Sequence, residues 1–217
     1  MNVMATQRFP VTRRMAAPLA RMLFPLPVSA NAVTAASLVT GLVAAWLFAT
    51  GGYYGGIAGA LLFVLSNLLD NCDGDIARWK NQTSVFGMRF DSFTDWAVNG
   101  VFFIAVGWSA WQASGEVLWM GLAALAAAGG TVNYAIDCWR DSRDLRDGTS
   151  GKVEDGPGED AGDRAVYLSR VLRCDFCFIV LALALFDVVW ILLPAAAIGA
   201  QAFWGVQFWK GFKRHRV

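Results

Sequence analysis

Apolar residues run along this chain in six long blocks separated by short polar breaks. The blocks cover about residues 31–50, 53–78, 86–111, 117–139, 166–186 and 188–209. Each is on the order of 20 residues, the length a helix needs to cross the hydrocarbon layer of a bilayer. The first block stops at Gly51-Gly52, and only Asp187 divides the last two, which predicts a tight helical hairpin. Tyr53, Tyr54, Trp79, Trp108, Trp111, Trp119, Trp139 and Trp209 fall near block ends, where an interfacial aromatic belt belongs. The expected fold is therefore all-α and integral to the membrane, with six transmembrane helices after an N-terminal amphipathic interfacial helix.

That first helix is expected within residues 1–26, where Arg8, Arg13, Arg14 and Arg21 alternate with Phe9, Met15, Leu19, Met22, Leu23 and Phe24. No unbroken apolar core follows before residue 32, so the segment reads as a basic juxtamembrane element and not as a cleavable signal peptide. Residues 27–217 then form one transmembrane domain. Within it, residues 140–165 are rich in Asp, Glu, Gly and Arg and lack an apolar face, which predicts a mobile cytoplasmic loop.

Composition agrees with a membrane bundle. Hydrophobic residues make up 56% of the 217, and charged residues only 16%. The formal net charge of +1 gives no reason to expect a nucleic-acid partner. Its distribution is more informative. Lys and Arg occur in the N-terminal segment, at Arg78 and Lys80, after Trp139 and in the C-terminal tail, but not near Gly51, Gly115 or Asp187. With six spans these two sets alternate, placing both termini and the charged helix ends in the cytoplasm. His215 is the only histidine, so chemistry built on imidazole has little to stand on. The four cysteines form no disulfide pattern, and Cys174-x-x-Cys177 reads more simply as buried helix residues than as a metal or redox pair.

Chemistry concentrates where the second block meets the third. Asp70 and Asp73 are three apart, Asp91 and Asp95 four apart, and both spacings put carboxylates on one helical face. The short connection 79–85 makes the two helices antiparallel neighbours, so four carboxylates can converge at one depth. They cannot all ionise at a low-dielectric boundary without compensation. A hard divalent cation supplies it, and oxygen ligands suit Mg²⁺, Mn²⁺ or Ca²⁺. Gly74 and Gly87 leave room for close approach, and Arg78 offers a fork suited to phosphate oxygens. Solvation at a helix end explains Asp75 well enough. It fits Asp91 and Asp95 poorly, because Phe90, Phe93, Trp96, Ala97 and Val98 surround them.

The run Asp70-x2-Asp73-Gly74-x2-Ala77-Arg78-x8-Gly87-x3-Asp91-x3-Asp95 resembles, without gap or substitution, the signature of the CDP-alcohol phosphotransferases. The resemblance implies a metal-dependent membrane enzyme of phospholipid synthesis. It would transfer a phosphoalcohol group, such as phosphatidyl, from a CDP-linked donor to an alcohol and release CMP. It implies two ions, Mg²⁺ or Mn²⁺, at Asp70, Asp73, Asp91 and Asp95, with Asp95 also the general base. Asn31, Asp73, Gly74, Arg78 and Gly87 would hold the nucleotide, and a homodimer is implied too. The family usually opens its first span with Pro-Asn-x-x-Thr. Here Asn31 and Thr34 are kept, and Ala30 replaces the proline.

The acceptor is less legible. Arg170 and Arg173 lie three apart near the expected cytoplasmic surface and suit the phosphate of an acceptor such as inositol phosphate or glycerol phosphate. The positive-inside bias would also put arginines there. Two other classes use similar acids: aspartate-rich membrane prenyltransferases and divalent-cation transporters. The first typically spaces its motifs on well-separated helices, and the second has no use for Gly74, Arg78 and Gly87 at these positions.

Overall fold

The computed structural model describes residues 11–146 and 175–201. They form α1 (Val11–Leu23), α2 (Ala30–Thr50), α3 (Tyr53–Trp79), α4 (Val85–Ser114), α5 (Leu118–Arg146) and α6 (Phe176–Leu185). The last described helix, α7 (Val189–Gln201), opens as a 3-10 turn, Val189–Ile191. There is no strand among the described residues.

Local chemistry sets the breaks. The Ser29 hydroxyl accepts from the Ala32 amide and starts α2, and Ser84 does the same for α4 through Gly87 at 3.0 Å. Gly51 and Gly52 both take positive φ, 72° and 83°, which lets α2 turn directly into α3. Gly115, at φ 74°, closes α4 in the left-handed form, its amide donating to the Trp111 carbonyl at 2.7 Å. The turn between α6 and α7 is three residues long and centres on Asp187 at φ 58°. It is as tight as the sequence predicts.

α2 is the helix that holds the bundle together, packing along both α3 and α4. Gly41 makes this possible. A Cβ there would stand 2.6 Å from the Val98 methyls on α4 and 2.8 Å from the Ser66 hydroxyl on α3. α3 and α4 are antiparallel as expected, but their backbones are bridged by α2 more than they are packed on each other. Where they do meet, Phe63 stacks on Phe102 with ring centroids 4.7 Å apart, and Phe48 and Phe176 close the cluster edge-on. Gly129 admits α7, since its Cβ would come within 2.6 Å of Ala200. Gly56 and Gly130 face open space.

Among the described residues two helices, α2 and α3, are long and apolar enough to cross a membrane. α4 and α5 are longer still, but α4 carries Arg89, Asp91 and Asp95 and α5 ends in charge. Large apolar side chains face outward, among them Val39, Trp46, Leu61 and Ile198, and Tyr54 at the helix start is 84% exposed. α1 packs its small-residue face on α3. Ala16 and Ala20 are buried against Cys72 and Ile76 of α3, and the Cys72 thiol donates to the Ala16 carbonyl at 3.3 Å. Its first turn is capped from far along the chain: the Asp175 carboxylate accepts from the Val11 and Thr12 amides and from the Thr12 hydroxyl. The expected loop 140–165 needs correcting at its start. α5 continues to Arg146, and Arg143 lies over the Trp139 ring at 4.7 Å, a helical i, i+4 contact. The remainder of that loop lies outside the described residues.

Candidate active site

The stacked Phe63–Phe102 pair fixes the site. Asp70 lies seven residues beyond Phe63 on α3, and Asp95 seven residues before Phe102 on α4. Seven residues are two turns, so on antiparallel helices both carboxylates rise about 10 Å to the same end, on the facing sides. Asp73 and Asp91 lie one turn further out. Carboxylate oxygens of Asp70, Asp73 and Asp91 all fall within 4.8 Å of one another. Asp73 is the deepest, 6% exposed, and accepts a very short hydrogen bond from the Thr34 hydroxyl of α2. Asp95 stands outside this trio. It shares a small pocket with Asp70, lined also by Ser37, Ser66, Asn67 and Thr94. On its other side it opens onto a cavity of about 310 Å³ between α4, α5 and α7.

These residues fit a divalent metal. Three oxygens converge, and Asp70 Oδ1 is buried with no hydrogen-bond partner, a cost that a cation removes. The donor set is all oxygen, which suits hard ions. The Arg78 guanidinium pairs with Asp75 at 2.6 Å, one turn along α3.

The residues expected to hold a nucleotide gather on the same end. Asn31, in the first turn of α2, lies against Gly87, where a Cβ would stand 3.1 Å from its Oδ1. The glycine therefore cuts the space that Asn31 occupies. A Cβ at Gly74 would meet only the Arg78 guanidinium at 3.6 Å, an ordinary contact, so the space above Gly74 stays open to a ligand. Arg170 and Arg173 lie outside the described residues.

The cavity beside Asp95 draws polar groups from two helices. Ser92, Asp95 and Asn99 enter it from α4, and Asn133, Tyr134 and Asp137 from α5, over an apolar wall that includes Phe103, Ala126, Ala196 and Ala200. Asn133 Oδ1 is buried there with no hydrogen-bond partner. Tyr134 stacks on Trp96 at 5.2 Å, and the Trp96 indole donates to Thr131 at 3.1 Å. A signal was present in the sequence, since Ser92-x2-Asp95-x3-Asn99 and Gly130-x2-Asn133-x3-Asp137 are polar or small stripes at helical spacing within apolar spans.

Comparison with known proteins identifies the family. Residues 27–154 match the family model for CDP-alcohol phosphatidyltransferase. The chain belongs to that family. Its members are membrane-embedded, metal-dependent transferases of phosphate-containing groups. A CDP-diacylglycerol–serine O-phosphatidyltransferase of Helicobacter pylori is 36% identical over 77 residues, 36% of this chain. That match spans only 31% of the relative's length. The crystal structure of the phosphatidylinositol phosphate synthase of Mycobacterium tuberculosis, in apo form, superposes with a TM-score of 0.51. It covers 84% of this chain and 90% of the other at 24% identity, a likeness of fold. Family membership sets aside the prenyltransferase and transporter readings.

Proposed function

We propose that this chain transfers a phosphoalcohol group, most simply phosphatidyl, from a CDP-linked donor such as CDP-diacylglycerol to an alcohol acceptor, releasing CMP. One observation carries the reading: Asp95 stands between the three-carboxylate cluster and the 310 Å³ cavity. A donor phosphate over the cluster and an acceptor hydroxyl in the cavity would both be within reach of it.

Asp70, Asp73 and Asp91 hold a divalent metal, Mg²⁺ or Mn²⁺, with Asp95 at a second metal position, and bound metal offsets the negative charge of the donor diphosphate. Asn31, Asp73, Gly74, Arg78 and Gly87 hold the CDP part. The acceptor oxygen bonds to the phosphorus that bears the alcohol group while its proton passes to the Asp95 carboxylate. The bond from that phosphorus to the bridging oxygen breaks, and CMP leaves. Displacement is direct in this reading, with no covalent intermediate on the protein. On sequence grounds, Arg170 and Arg173 bind the phosphate of a phosphorylated polyol acceptor. The chain makes six spans with both termini and the site facing the cytoplasm, and it works as a homodimer.

The test uses purified protein in lipid, CDP-diacylglycerol, a panel of free and phosphorylated polyols and amino alcohols, and CMP release followed with Mg²⁺ or Mn²⁺ against chelator. Metal-dependent CMP release that requires one acceptor is expected. Absence of both CMP release and cytidine-nucleotide binding would overturn the reading.

A further inference from the structure

The segment between α1 and α2 is held from across the bundle by the turn between α3 and α4. The Gln82 side-chain Oε1 accepts from the Ala30 amide at 2.9 Å, and the Lys80 ammonium donates to the Leu26 and Val28 carbonyls, each at 2.7 Å. Ala30 is the first residue of α2, so its amide has no partner within the helix and needs one from elsewhere. It is buried, 5% exposed, where an unpaired amide is costly. The next residue is Asn31, whose Oδ1 fits the notch left by Gly87.

We infer that Gln82 is a positioning residue for the nucleotide: by bonding the Ala30 amide it fixes the first turn of α2 and so the place of Asn31 over Gly87. The inference rests on the nucleotide role of Asn31 given under the proposed function. Gln82 touches neither the carboxylate cluster nor the cavity; it acts through the backbone of α2. The same geometry explains how Ala30 stands where the family pattern has proline. A proline fixes φ near the helical value at the first helical position and offers no amide that needs a partner. Ser29, with φ −80° and ψ 157°, already has the extended backbone that a following proline requires. Ala30 with Gln82 and proline alone are thus two ways of holding one turn.

This equivalence is the test. Gln82 is an exposed turn residue, so its substitution leaves the bundle intact. Gln82→Ala is expected to raise KM for the CDP-linked donor about three- to tenfold, with kcat and acceptor KM unchanged, as loss of one hydrogen bond predicts. Gln82→Ala with Ala30→Pro is expected to return donor KM to the wild-type value. In an Asn31→Ala background, Gln82→Ala is expected to add nothing. Unchanged donor KM in Gln82→Ala, failure of Ala30→Pro to restore it, or full additivity with Asn31→Ala would each overturn the inference. If the wild-type chain neither binds cytidine nucleotide nor releases CMP, the proposed function itself fails, which is a different result.

Discussion

The two sides of Asp95 are built differently. On the α2–α3 side polar groups are fitted closely to one another: Thr34 donates to Asp73, Ser84 caps Gly87, Gln82 takes the Ala30 amide, and Asn31 fills the notch at Gly87, while Asp70 Oδ1 is left without a partner. On the α4–α5–α7 side an open cavity displays Ser92, Asn99, Asn133 and Asp137 above an apolar wall, and Asn133 Oδ1 has no partner. A pre-organised shelf suits a ligand part that never changes, as CDP would be. A roomy chamber with polar side chains over an apolar wall suits the other reactant, as the acceptor would be.

Variants on the line between the two sides should show the largest effects. Asp95→Asn keeps the shape and removes the base, so CMP release should fall roughly 10²- to 10⁴-fold. Retained donor KM alongside that loss would support the role; activity within a few-fold of wild type would remove Asp95 from the chemistry. Thr34→Val comes next, on the shelf side. It deletes the hydroxyl that bonds Asp73 without changing volume much, and should weaken metal affinity about 10- to 100-fold. Titration with Mn²⁺ followed by electron paramagnetic resonance reads this directly, independent of turnover. A smaller effect is expected on the chamber side. Gly130 lines the cavity, and a Cβ there meets nothing within 4 Å. Gly130→Leu should raise acceptor KM about tenfold while leaving donor KM alone. If it raised donor KM instead, the assignment of the two sides would be wrong.

Much of the shelf was legible in the sequence because spacing and physics both point there. Acids at i, i+3 and i, i+4 on two helices joined by a short turn can converge only one way, and the structure gathers Asp70, Asp73 and Asp91 accordingly. Block ends were likewise readable, since Gly51-Gly52, Gly115 and the serine caps are local signals. What escaped was long-range. The Asp175 cap on α1 joins residues more than 160 positions apart, and no periodicity announces it. The continuation of α5 to Arg146 was hidden by composition: 140–146 is polar enough to read as loop, yet it extends an existing helix, which needs no new nucleus. The chamber was half visible, as stripes on α4 and α5 whose partner α7 the stripes could not name.

The finest test of the comparison is a single methyl group. Gly87 has an ordinary backbone, so alanine there meets no conformational strain and raises helix propensity. The cost is steric and local: the new Cβ would lie 3.1 Å from Asn31 Oδ1 and 3.2 Å from the Ser84 hydroxyl. Both neighbours must give by a few tenths of an ångström. The Ser84 hydroxyl caps α4, and the Asn31 side chain is expected to meet the nucleotide. If the shelf is as closely fitted as its hydrogen bonds indicate, that shift should raise donor KM about threefold, the loss of part of one hydrogen bond. Thermal stability should stay near wild type, because propensity and crowding oppose each other. The chamber offers the control. Gly100 also borders the cavity, and a Cβ there meets nothing within 4 Å, so Gly100→Ala should leave donor KM untouched. Equal effects from the two alanines would mean that the shelf is no more exacting than the chamber, and the division drawn at Asp95 would dissolve.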